Sequence, residues 1–225
     1  MLLLSWAFAT TPGAYRAGPG LPVNMVRIRT GSTVLRKELV HETQLQARAA
    51  WRNLSVQLNL PTLSHRGRET GIGPTGLGLY RHVGQDDSRI TYGLEVDLQL
   101  GPLSFTQPQY AVQQSAVAPA NGWLVVLEAV TFPNSPFHVR IGLGARYPLN
   151  NGGIGTPRIE ALLAGVLPVR GPFSVVGEFE VGSDDNAVAL RALGRIDIKE
   201  TSVDLGLQRS VFGVYSILAS ARMFR

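Results

Sequence analysis

The sequence predicts an all-β protein, an antiparallel up-and-down transmembrane β-barrel of about twelve strands, within a range of about ten to fourteen. Three observations carry that expectation. From Phe137 to Tyr147 the chain alternates strictly, with Phe137, Val139, Ile141, Leu143, Ala145 and Tyr147 apolar and His138, Arg140, Gly142, Gly144 and Arg146 between them. A period of two gives a strand one greasy and one polar face, and aromatic residues at both ends of the greasy face suit a strand that crosses a bilayer. The same period recurs along most of the chain. Outside Met1 to Ala9 no apolar run approaches the ~20 residues that a membrane helix needs. Charge, finally, keeps to the polar parity.

Met1 to Ala9 resembles the apolar part of a secretory signal, with Ala7-Phe8-Ala9 as a small-x-small cleavage pattern. Residues 10–24 are rich in glycine and proline and read as an irregular lead-in. A single barrel domain is expected over 25–225. Met25 to Thr30 alternates as a strand, and Ser32 to His41 reads as a further one, although Val34, Leu35, Leu39 and Val40 would also suit a short amphipathic helix. Gln44 to Trp51 places Leu45, Ala47, Ala49 and Trp51 on one face. The apolar parity then switches to Leu54, Val56, Leu58 and Leu60, which requires either a tight hairpin at Arg52-Asn53 or a β-bulge. Pro61 to Pro74 reads as a polar, glycine-rich loop before the strand Thr75 to Val83.

Arg89 to Leu100 alternates without fault, with Ile90, Tyr92, Leu94, Val96, Leu98 and Leu100 apolar. Leu103 to Val112 is a weaker strand because Pro108 cannot donate to a ladder. Trp123 to Phe132, Arg158 to Pro168, Phe173 to Val181, Ala187 to Ile198, Ser202 to Arg209 and Val214 to Phe224 complete the set, several with apolar residues on both faces, such as Leu193 and Leu218. Connections alternate between short and long, as in membrane barrels with short periplasmic turns. Pro61 to Pro74 is long where this count wants a short turn.

The parity divides the side chains into two candidate sets. The lumen is expected to hold Arg48, Arg89, Glu95, Asp97, Glu128, His138, Arg140, Arg146, Arg158, Glu160, Glu178, Glu180, Arg191, Arg195, Asp197, Asp204 and Arg222. Lipid is expected to meet Trp51, Tyr92, Leu94, Val96, Val139, Ile141, Leu143, Tyr147, Val203 and Leu205. Arg81, near a strand end, is the main charge on the apolar parity. Eight bases against eight acids on the polar parity predict no strong ion preference. Two-residue turns at Lys199-Glu200 and Asp184-Asp185 further predict that Arg195 faces Asp204 and Glu178 faces Arg191, each pair inward.

The composition bounds the function. The net charge of +5 comes from 21 basic and 16 acidic residues, scattered along strands rather than gathered in a basic patch, which argues against nucleic-acid binding. There is no cysteine, hence no disulfide or thiolate metal site. None of His41, His65, His82 and His138 stands in a nucleophile/base or metal-ligand spacing, so neither an enzyme nor a cofactor is expected; His138 reads as a polar rim residue. Lys37 and Lys199 are the only lysines, fewer than a soluble surface normally carries. A soluble lipocalin-like barrel with its greasy face inward and an apolar ligand is the alternative architecture.

Val56 to Pro61 (V-Q-L-N-L-P), the loop to Gly71-Ile72-Gly73 and the strand Gly76-Leu77-Gly78-Leu79-Tyr80-Arg81 together resemble outer-membrane transporters of the phenol-degradation meta-pathway type. That family carries a Gly-x-Gly-Asp turn before its leucine/glycine strand and a Lys/Arg-Tyr pair after it; here Pro74 replaces the aspartate and the pair runs Tyr80-Arg81. The resemblance covers about a third of the chain. It implies a barrel in the outer membrane of a Gram-negative bacterium, surrounded by lipid and passing small polar solutes through a narrow, weakly selective lumen. The alternative is a non-conducting structural barrel, an envelope anchor or a subunit joined to other envelope proteins.

Overall fold

A computed structural model describes residues 24–35, 38–61, 63–67, 69–72, 75–85, 88–98, 122–131, 137–146, 156–182, 188–210 and 215–224. Fourteen strands form one antiparallel sheet: β1 (Met25–Leu35), β2 (Glu38–Trp51), β3 (Leu54–Asn59), β4 (Leu63–Arg66), β5 (Glu69–Ile72), β6 (Thr75–Gln85), β7 (Ser88–Leu98), β8 (Gly122–Thr131), β9 (Phe137–Arg146), β10 (Thr156–Arg170), β11 (Phe173–Gly182), β12 (Val188–Ile198), β13 (Thr201–Ser210) and β14 (Tyr215–Phe224). β1 pairs with both β14 and β2, so the sheet closes on itself. β3 and β4 lie along the same edge of β2 and make one stave, and β5 leads into β6 as the next. The closed ring therefore has twelve staves. No helix among the described residues is long and apolar enough to cross a membrane, which says nothing about crossing by strands.

Three readings of the sequence are corrected. Ser32 to His41 is not a stave of its own: it divides between the end of β1 and the start of β2, on either side of residues 36–37. Its blurred pattern is that of a reversal, where the parity must change. Residues 61–74 are not simply a loop but contain the β4–β5 hairpin, which extends the wall beyond β3 and β6. Proline and glycine flanking two four-residue strands had hidden their alternation. No stave stands between β7 and β8, which pair directly from Ser88↔Thr131 to Asp97↔Gly122; residues 103–112, 1–9 and 10–23 lie outside the described residues.

With these corrections the longest connections share one rim, where the two-residue reversal between β1 and β2 also falls. One rim carries 52–53, 86–87, 132–136, 171–172 and 199–200 together with both ends of the wall. The other carries 36–37, the β4–β5 extension, 99–121, 147–155, 183–187 and 211–214. The long segment that broke the pattern thus belongs to the long-loop rim; the misplaced strand had shifted the count by one.

Arg52-Asn53 is a hairpin rather than a bulge, since Trp51 pairs with Leu54. Arg52 and Lys199 each open a two-residue turn at positive φ, 53° and 52°. This left-handed region costs an L-residue about 1 to 2 kcal/mol. Glycine adopts it freely but loses about 0.5 to 1 kcal/mol of chain entropy. Lys199→Gly is therefore expected to stabilise the barrel modestly, by about 0.5 kcal/mol, read as a higher denaturant midpoint; a lower one would show that Lys199 makes a contact worth more than its strain.

Exposed and buried side chains alternate along the described strands, residue by residue through β3 and from Ala189 to Ile196 of β12. The exposed parity faces out and is apolar: Ile28, Leu79, Val125, Ile141, Leu143, Leu205 and Ile217 are among many such residues. The buried parity faces the interior and is largely polar. A lipocalin-like barrel is the reverse, so that alternative falls. Trp51, 68 % exposed and stacked under the Arg52 guanidinium, marks the short-turn rim, and Tyr215 under Arg209 marks the other. Such amphipathic anchors belong at a membrane interface.

Candidate functional site

The two predicted hairpin registers bring the principal charge clusters together. β12 and β13 pair Arg195 with Asp204, and Arg195 Nε donates to Asp204 Oδ1 at 2.6 Å. Both face inward and are buried. Asp204 Oδ2 also accepts from Arg222 Nη2 at 2.9 Å and from the Ser220 hydroxyl at 2.9 Å, both on β14. Arg27 of β1 lies 3.9 Å away and donates to Ser220 at 3.3 Å. One carboxylate thus joins four staves, β12, β13, β14 and β1. A carboxylate can accept several charge-assisted bonds at once, which offsets the cost of taking it from water.

The second cluster centres on Arg191. β11 and β12 pair it with Glu178; its Nη1 donates to Glu178 Oε2 at 3.1 Å, its Nη2 to Glu180 Oε2 at 2.6 Å and its Nε to Gln208 Oε1 at 2.7 Å. The flat guanidinium fork suits three acceptors on the two staves that flank its own. Between these clusters Val176, Leu193 and Leu218 form a buried apolar group, with Val166 packed against it. This explains the apolar residues on both faces of those strands.

Hydrogen bonds to side-chain amides continue the inner wall through β1, β2 and β3. Arg29 donates to Gln44, Arg48 to Gln57 at 2.8 Å, and Gln46 to Asn59 at 2.8 Å. On β6 the ring of Tyr80 lies inward over Gly78 and Gly93, and its hydroxyl donates to Glu95. A Cβ on Gly93 would come within 2.2 Å of the Leu79 carbonyl and 2.7 Å of the Tyr80 ring, so glycine is what admits the ring. His82 is buried with Ser55 at 2.8 Å and Thr91 at 2.9 Å.

Of the expected lumen residues, Arg48, Glu178, Glu180, Arg191, Arg195, Asp204 and Arg222 are buried inward, while Glu95, Glu160 and Asp197 are half-buried. The side chains of Arg89, Asp97, Glu128, His138, Arg140, Arg146 and Arg158 lie outside the described residues. Of the expected lipid-facing residues, Trp51, Tyr92, Leu94, Ile141, Leu143, Val203 and Leu205 are exposed and Val96 is half-buried; the Val139 side chain and Tyr147 lie outside the described residues. Arg81 is exposed on the outer face, as its parity requires.

Sequence reasoning missed Arg27, Arg29, Glu42, Tyr80 and His82, all buried inward. Val26 and Ile28, both exposed, held the signal for the two arginines. Glu42 lies between the two expected strands Ser32 to His41 and Gln44 to Trp51, and Tyr80 and His82 share parity with glycines that carry no polar mark.

An apolar exterior around a closed ring of twelve staves with a charged interior defines a transmembrane β-barrel. No protein-family model matches the chain, and no curated protein is significantly similar to it in sequence. Solved structures match in fold. The NanC porin aligns with a TM-score of 0.61 at 8% identity, over 90% of this chain and 99% of its own. The COG4313 outer membrane channel from Pseudomonas putida F1 aligns at 0.60 and 12%, over 96% and 100%. The KdgM porin aligns at 0.57 and 7%, over 88% and 98%. At such identities the likeness is one of fold, the fold of outer-membrane barrels.

Proposed function

We propose that this chain is a channel in the outer membrane of a Gram-negative bacterium, narrow and weakly selective, passing small polar solutes. The observation that carries the reading is the inner wall: polar and charged side chains face inward on stave after stave while lipid-compatible side chains face out. Polar linings and charged rings are the means by which pores admit and filter solutes. The resemblance of Val56 to Pro61 and Gly76 to Arg81 to meta-pathway transporters supports a transport role. So does the fold shared with porins, one of which, KdgM, was solved in complex with disordered oligogalacturonate. Outer-membrane lipid is the surrounding partner, and we assign the interior no enzymatic role.

A second reading, a non-conducting structural barrel able to join other envelope proteins, is favoured by the burial of the Asp204 and Arg191 clusters, which brace neighbouring staves. Planar-bilayer recording decides between them. The purified protein is expected to give discrete single-channel steps of small conductance with weak ion preference; a membrane that stays silent after verified insertion would leave the structural reading.

A further inference from the structure

On the outer parity of the described strands the side chains are almost all apolar, small or hydroxylic, and none is acidic. Arg81 of β6 breaks this pattern. Its neighbours along the strand, Leu79 and Val83, are exposed and apolar, and its partners across the sheet are Leu54 of β3 and Tyr92 of β7. Among the described residues its guanidinium has no ion-pair or hydrogen-bonding partner. A charge that faces hydrocarbon is costly at depth and is tolerated where it reaches the headgroups. The position therefore calls for an anion from outside the chain.

The surroundings place that anion at the short-turn rim. Trp51 of β2 pairs with Leu54, so Trp51, Leu54, Arg81 and Tyr92 stand in one cross-strand row. Tryptophan and tyrosine settle at the level of the lipid headgroups, and here they flank the arginine on both sides. The turn between β2 and β3 closes against β6 at the same point, where His82 N donates to the Asn53 carbonyl at 2.8 Å. That contact sets Arg52, whose guanidinium lies 5.1 Å over the Trp51 ring, at the rim beside β6. The exposed Tyr92 phenol supplies a further donor next to Arg81.

We propose that Arg81, Tyr92 and Arg52 form a docking site for an anionic glycerophospholipid of the leaflet on the short-turn side. Its phosphodiester meets the Arg81 guanidinium, and an acyl chain runs along the apolar exterior of β3 and β6 over the paired Val56 and Leu79. A guanidinium offers parallel donors that match phosphate and is weakly hydrated, which suits a setting between water and hydrocarbon. Two basic groups with no acid on the outer parity favour a headgroup of net negative charge over a zwitterionic one. The site lies on the outer wall and is independent of whether the lumen conducts.

The test is native mass spectrometry of the full-length protein in a non-ionic detergent, titrated separately with phosphatidylglycerol, phosphatidylethanolamine and inorganic phosphate. One phosphatidylglycerol per chain is expected to be retained in preference to phosphatidylethanolamine, and inorganic phosphate should not displace it. Arg81→Gln and Arg52→Gln should each weaken that binding about fivefold. Arg209→Gln, which removes the arginine beside Tyr215 at the opposite rim, should leave it unchanged. All three arginines are exposed, so the variants should keep the folded form, checked by its resistance to unfolding on gels. Equal retention of the two lipids, displacement by inorganic phosphate, an equal loss in Arg209→Gln or wild-type binding in the Arg81→Gln, Arg52→Gln double variant overturns the site. So does an acidic protein, in place of lipid, on the chain taken from native membranes.

Discussion

Asp204→Ala is expected to cost the folded barrel about 3 to 5 kcal/mol, the range for removing one partner of a buried charged network. Asp204 is completely buried and is the carboxylate shared by Arg195, Arg222 and Ser220. Without it, three guanidiniums gather around a space that no longer holds the opposite charge, and β12, β13, β14 and β1 lose their common acceptor. The measurement is denaturant unfolding in detergent, followed by tryptophan fluorescence. Asp204→Asn keeps the shape and one acceptor oxygen but loses the charge and the second acceptor, and should fall between alanine and wild type. A wild-type midpoint for the alanine variant would show that the arginines find equal compensation elsewhere, and that the hub is not what holds these staves in register.

Gly93→Val should have the next largest effect, at the upper end of the ~1 to 3 kcal/mol that overpacking costs. The new side chain meets a backbone carbonyl as well as the Tyr80 ring, so rotating the ring away does not relieve it. The ring would leave its seat, and its hydroxyl would leave Glu95. Gly177→Ala is the control, since a Cβ there meets nothing within 4 Å. Near-ultraviolet circular dichroism reports the tyrosine environment and unfolding reports the stability. Equal behaviour of the two variants would mean that the wall yields at Gly93 more readily than its geometry requires.

The alternation of two classes of side chain made the barrel legible because a wall between lipid and a polar interior imposes period two on both faces at once. Arg89 to Leu98 and Phe137 to Arg146 could be read directly for that reason. The hairpin at 199–200 was legible to the residue, because a two-residue reversal inverts the parity in a fixed way and so sets Arg195 against Asp204. Legibility failed where the pattern was cut short. Between Thr30 and Gln44 the change from β1 to β2 falls inside a run of valines and leucines, whose pattern reads as an extra stave. In residues 61–74 each strand has four residues, too few for alternation to stand out from flanking glycine and proline. The clustering of charge was beyond sequence for another reason. Arg222 reaches Asp204 from the next stave, β14, but Arg27 reaches it from β1, and only closure of the ring brings that end of the chain there.

Every other pair of neighbouring staves is consecutive in the chain, but β1 and β14 meet across almost its whole length, Met25 beside Phe224. Pairing consecutive staves closes at most the connection 99–121, whereas this last pairing must overcome the entropy of joining the distant ends. The wall therefore has a natural order of assembly, with a curved open sheet preceding the ring. Thr33 and Ser216, 2.6 Å apart, and the contacts of Arg27 with Ser220 and Asp204 lie on the edges that meet last. Until they meet, those two edges hold unsatisfied backbone donors and acceptors, which hydrocarbon cannot solvate. Closure and passage into the bilayer are therefore expected to be coupled, with the polar contacts inside the seam opposing its reopening.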